Sequence, residues 1–225
     1  MKILAIGDPH GNLKEIKKIP LKGLDLILLT GDLGKANFKR KMAFENIERK
    51  SKGLSEKEFS SKEKRKAFME AYDSSINVIK YLTGHVSVFT IYGNVESRNS
   101  ETRKESKEIG YKLPFLTDNL NKLANVRVIN NKLIDFNSVK IGGLDYFIDD
   151  IWIRTFKPKE DYAKRLVSAK KETNKARKIL KLFDKLDILV CHQPPCGILD
   201  KVTAKFASKH WQGKHAGSKI ILNYI

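Results

Sequence analysis

Four short apolar runs of this chain each end beside a side chain that can bind a metal ion. Lys2–Gly7 leads into Asp8 and His10. Leu24–Thr30 (LDLILLT) leads into Gly31-Asp32, and His85–Tyr92 (HVSVFTIY) into Gly93-Asn94. Leu186–Cys191 (LDILVC) leads into His192. Carboxylate, amide and imidazole donors together suit Mn²⁺, Fe, Zn or Ni better than a thiolate-seeking metal. Each signal is weak by itself. Asp-x-His is a common turn, Gly-Asp a common strand end, and Asn a common left-handed turn residue. Their recurrence at four run ends carries the argument.

Runs of about 6–8 apolar residues bounded by Gly or Pro read as strands buried on both faces. A short helical stretch near Leu13–Ile19 separates the first two. A long helical region, about Asn37–Leu82, separates the second and third. Strand, helix, strand in sequence implies an α/β sheet with right-handed crossovers. In open sheets of this kind, sites gather beyond the carboxyl ends of the strands. Asp8, His10, Asp32, Asn94 and His192 are therefore expected to converge. Gly7, Gly31 and Gly93 are read as the sharp backbone turns beside the ligands.

Val126–Asn130, Lys132–Phe136 and Val139–Leu144 alternate and turn at Asn130-Asn131 and Asn137-Ser138, so they read as hairpin-linked strands. Lys159–Asp184 reads as a long polar helix, acidic early and basic late. No Pro/Gly/Ser-rich linker divides the chain. A single domain over 1–225 is expected, with a basic helical insertion at about 37–82.

The 225 residues carry 44 Lys+Arg against 26 Asp+Glu, a net charge of +18, with 41% hydrophobic residues. That content supports a buried core and argues against global disorder. No apolar run approaches the ~20 residues of a membrane-spanning helix. Met1–Asp8 meets an acid too early for a signal peptide, so the expected compartment is the cytoplasm and no membrane partner is expected. Cys191 and Cys196 are too few for a disulfide scaffold or a Cys-rich zinc site. Cys191 is read as a packing residue. The charge concentrates in Lys39–Lys66 (11 bases, 5 acids) and Lys157–Lys185 (11 bases, 4 acids). Each reads as a solvated helix face, as in heat-adapted proteins. Nucleic acid is the alternative partner.

Gly7-Asp8-Pro9-His10-Gly11-Asn12, Gly31-Asp32, Gly93-Asn94-Val95-Glu96 and Cys191-His192-Gln193-Pro194 resemble the ordered motifs of the calcineurin-like metallophosphoesterases. The resemblance implies a four-layer α/β/β/α sandwich. It also implies two divalent ions, Mn²⁺ foremost. Asp8 and His10 would hold the first ion, Asp32 would bridge, and Asn94 and His192 would hold the second. The implied reaction is hydrolysis of a phosphomonoester or phosphodiester by a metal-bound hydroxide, with Asn94 also in a catalytic role.

Two departures from the pattern qualify this. Val95 stands where many members have His, which predicts a preference for good leaving groups such as aryl or strained cyclic phosphodiesters. The family's Gly-His-x-His motif is absent. The chain is therefore expected to be incomplete at its C-terminus, lacking the final strands. Alternatively His210 or His215 substitutes, or the fold serves as an eroded scaffold for protein interaction. A nuclease or nucleic-acid-binding role is the further alternative. Gly197–Asp200 and His215–Ser218 also resemble the stretch after the His-x-Pro motif. Glu96 is read either as an orienting group or as a structural one. His85 is read as structural, and Trp152 and Trp211 as core or lid aromatics.

Overall fold

Apolar residues in Ile3–Ile6 (β1), Leu26–Leu29 (β2), Ser87–Thr90 (β3) and Val126–Val128 (β4) form one four-stranded sheet in the order β1-β2-β3-β4 in the computed structural model. The structure describes residues 1–157, 161–203, 209 and 211–225. Two compact units divide it, Met1–Val128 and Ile129–Ile225.

All pairings in the first unit are parallel. Ile3 stands opposite Leu26, Leu26 opposite Ser87, and Val88 opposite Val126. β2 is buried along its whole length, as a central parallel strand should be. β1 is only partly covered, with Ala5 exposed, because it lies at the sheet edge. Burial on both faces thus holds for β2 and most of β3, not for β1.

The helices of this unit are Leu13–Ile16 (α1), Asn37–Ser51 (α2), Ser61–Thr83 (α3), Asn99–Ile109 (α4) and Leu116–Leu120 (α5). The 37–82 region is thus two helices. Ser60 stops the chain between them with a capping box: its hydroxyl accepts from the Glu63 amide and Glu63 accepts from the Ser60 amide. α3 buries Val78, Ile79 and Leu82 against Ile27, Leu29 and Val88 of the sheet. Each such side chain contributes about 1.5–3 kcal/mol. α2 buries none of its residues.

In the second unit Lys132–Phe136 (β5) and Val139–Leu144 (β6) form the expected antiparallel hairpin. Asn137 and Ser138 take the positive φ of its turn. The expected link to Val126–Asn130 is corrected. β4 ends at Val128 and pairs in parallel with β3, so alternation alone misassigned its partner. Asp150–Phe156 (α6) and Tyr162–Phe183 (α7) follow, and Ile188–Cys191 (β7) returns parallel to β6. The start expected for α7, at Lys159, lies outside the described residues, as does Glu160. A Cβ on Gly142 would lie 2.5 Å from Leu186 Cδ1 and 2.9 Å from Phe183 Cδ2, so this glycine admits α7's end onto β6. Lys219–Tyr224 (α8) is capped by Ser218 and buries Ile221 with Leu144, Leu180 and Phe183. The whole is a mixed α/β protein built on parallel strands. No helix among the described residues is long and apolar enough to cross a membrane.

Candidate metal centre

The loops after β1 and β2 are tied to each other by backbone bonds. The His10 amide donates to the Asp32 carbonyl at 2.9 Å, and the Gly11 amide to the Leu33 carbonyl at 2.7 Å. Gly31 sits against the loop after β3. A Cβ there would lie 2.4 Å from the Gly93 nitrogen, and its φ is +102°. Only glycine permits that approach.

This lacing brings Asp8, His10 and Asp32 together. One ligand atom from each lies within 4.8 Å of the others. All three residues adopt positive φ: 43° at Asp8, 43° at His10 and 47° at Asp32. That is costly for non-glycine residues and clusters at functional sites. The expectation placed the sharp turns on Gly7, Gly31 and Gly93. Only Gly31 meets it. After β1 it is Asp8 and His10 that take the left-handed backbone, and Asp32 does so directly after Gly31.

Asp32 is buried, and its Oδ1 accepts from the Val95 amide at 3.0 Å. Its Oδ2 lies 3.9 Å from His10 Nε2. His10 Nδ1 is buried without a hydrogen-bond partner. Arg40 Nη2 reaches His10 Nε2 at 3.4 Å. A guanidinium only donates, so in this contact Nε2 is the acceptor. Two carboxylates and an oriented imidazole form an oxygen/nitrogen donor set, which fits a divalent ion. Asn94 is exposed and immediately precedes the residue whose amide holds Asp32.

Glu96 settles as a clasp. Its Oε2 accepts from the Gly93 amide at 2.9 Å and its Oε1 from the Gly34 amide at 3.2 Å. Burial pushes its carboxyl above the usual range and the nearby Asp32 charge adds to this, while the backbone bonds pull the other way. The Val95 side chain is buried with Ala36 and Ala71 and offers no polar atom. Arg40 went unnoticed in the sequence, since it comes from a helix with no ligand spacing.

In the second unit, His192 follows β7, with the Tyr146 ring edge-on at 5.5 Å. Gln193 donates from its side chain to the Phe147 carbonyl. Burial pushes the Cys191 thiol up to about 11, in keeping with a packing residue. Asp200 organises the following loops. His215 Nδ1 lies 2.5 Å from its Oδ1 and the Gly217 amide donates to Oδ2 at 2.9 Å. His215 thus has one ring nitrogen engaged by a carboxylate; His210 lies outside the described residues. Ser218 donates to Asp149 at 2.6 Å. Trp152, Phe156 and Trp211 form an aromatic cluster with ring centroids 5.0–6.2 Å apart. His85 is exposed in the turn before β3 and packs edge-on against Tyr81 at 5.0 Å.

Much of the Lys39–Lys66 charge has local partners. Lys57 pairs with Glu45 at 3.0 Å and Lys52 with Glu48 at 2.6 Å, while Lys66 lies over Phe38 and Arg65 over Tyr111.

Comparison with known proteins gives one family. The profile described as calcineurin-like phosphoesterase matches residues 1–218. No curated protein matches significantly. One solved crystal structure aligns at a TM-score of 0.50 and 14% identity, covering 98% of this chain and 77% of its own, a likeness of fold.

Proposed function

The chain belongs to the calcineurin-like phosphoesterase family, and from that premise we propose that it hydrolyses a phosphoester with the help of two divalent metal ions. The observation that carries the reading is the convergence of Asp8, His10 and Asp32, with ligand atoms within 4.8 Å of one another on strained backbone. Asp8 and His10 would hold one ion, Asp32 would be shared, and Asn94 would serve the second. His192, in the second unit, carries the Cys191-His192-Gln193-Pro194 motif to which the resemblance assigns a ligand of the second ion. Mn²⁺ is the first choice of metal. Such ions lower the pKa of water and draw negative charge from phosphoryl oxygens.

The chain's own residues do the rest. The Val95 amide fixes the Asp32 carboxylate, so its second oxygen keeps a set direction. Glu96 holds the Gly34 and Gly93 amides and thereby the two loops that carry Asp32 and Asn94. Asn94 is neutral and can ligate without cancelling the positive charge that a phosphoryl group requires. Val95 supplies no proton, so aryl phosphodiesters, whose leaving groups need none, are the proposed class for assay. The test is Mn²⁺-dependent hydrolysis of an aryl phosphodiester by the chain and by Asp32→Asn, beside calorimetric Mn²⁺ binding by both. Turnover and binding by the parent alone support the reading. Equal behaviour of the two proteins overturns it.

A further inference from the structure

Arg40 is an exposed residue in the first turns of α2, a helix that buries none of its own side chains. Its side chain nevertheless turns to the candidate metal centre, where Nη2 lies 3.4 Å from His10 Nε2. The base from which it extends is fixed. Ala36, the residue capping α2, packs with Ala71 and Val95. The Phe38 amide donates to Glu70 at 2.9 Å and the Lys35 amide to Ser74 at 2.8 Å. An arginine on a rigid base, beside residues that would gather divalent cations, adds positive charge to a place already destined for it. With divalent ions seated on Asp8, His10 and Asp32, an anion lying between them and the guanidinium would offset the added positive charge. A guanidinium's planar fork matches the paired oxygens of a phosphoryl group.

We propose that Arg40 is a phosphate-binding residue of this centre, hydrogen-bonding a non-bridging oxygen of the substrate's phosphoryl group from α2. The proposal rests on the phosphoesterase reading above. It also gives α2 a purpose that its unburied sequence does not otherwise show. The side chain of Val95, buried and apolar, brings no donor to a substrate. α2 brings one instead.

The experiment measures calorimetric affinity for Mn²⁺ alone, and then for inorganic phosphate at saturating Mn²⁺ and fixed salt. The proteins are the full chain, Arg40→Ala, Arg40→Lys and Asp32→Asn. The expected result is unchanged Mn²⁺ affinity in Arg40→Ala, with phosphate binding about ten- to a hundredfold weaker. Arg40→Lys should fall between, because it keeps the charge and loses the fork. With an aryl phosphodiester, Arg40→Ala should raise KM more than it lowers kcat. Unaltered phosphate affinity in Arg40→Ala overturns the proposal. So does a loss of Mn²⁺ affinity in that variant, which would make Arg40 a support for His10. If the parent binds no more Mn²⁺ than Asp32→Asn, the metal reading itself fails and takes this proposal with it.

Discussion

The Val95 amide donates to Asp32 Oδ1 at 3.0 Å, across 63 positions of sequence. The bond spends one carboxylate oxygen on the neighbouring loop and leaves the other, Oδ2, 3.9 Å from His10 Nε2. Asp32 is therefore both a structural acceptor and a candidate ligand, and the two roles separate by mutation.

Asp32→Asn keeps an oxygen for the Val95 amide, whereas Asp32→Ala leaves that buried donor unmatched. An unsatisfied buried group costs about 1–3 kcal/mol. The alanine variant should be less stable than the asparagine variant by that amount in urea unfolding, while both lose Mn²⁺ binding. Equal stability would show that the bond contributes nothing.

Glu96 carries amides from two loops on its two carboxyl oxygens. Gln at this position has one acceptor oxygen and turns an NH₂ toward a backbone donor. Glu96→Gln should lose about 1–3 kcal/mol, read as a lower urea midpoint at unchanged slope. A neutral result would mean the carboxyl is held for another purpose.

Gly31→Ala meets both objections to a side chain at once. The new Cβ falls 2.4 Å from the Gly93 nitrogen, and φ is +102°. Overpacking and strain together should cost at least about 1–3 kcal/mol. Gly53→Ala, where a Cβ meets nothing and φ is +72°, isolates the backbone part. The difference between the two variants in thermal unfolding measures the crowding of the loops.

Asp200 should make the stability of its unit depend on acid. Burial alone would raise its pKa, yet the bonds from His215, Gly197 and Gly217 outweigh it and hold the carboxyl below its ordinary range. A depressed carboxylate stabilises the fold at pH above its unfolded value, about 3.9, and that support is lost as pH falls through the lower folded value. His215→Ala removes one of the groups holding Asp200 down. The variant should be less stable than the parent at pH 7, and the gap should close as the medium is acidified below about pH 4. A gap that stays constant through this range would rule out the linkage.

Each of the apolar runs ending at Gly7, Thr30, Tyr92 and Cys191 was legible as a strand, and the metal-capable residues at their ends were legible with them. The reason is local. A short apolar run of strand length bounded by Gly or Pro favours the extended form, and the residue just past its end falls at the sheet's carboxyl edge. What surrounds each strand was decided in three dimensions. Val126–Val128 has the alternation of a hairpin strand and pairs in parallel with β3, because alternation reports two faces and not a partner. The left-handed backbone of Asp8, His10 and Asp32 arises where three loops press together. Glu96 became a clasp by accepting from an amide 62 residues away. Arg40 meets His10 across 30 positions of sequence. These features depend on groups distant in sequence meeting at hydrogen-bond range, and no spacing along the chain encodes such a meeting. The sequence by itself determined which residues could hold a metal; the tertiary structure decided which of them stand together and which cation overlooks them.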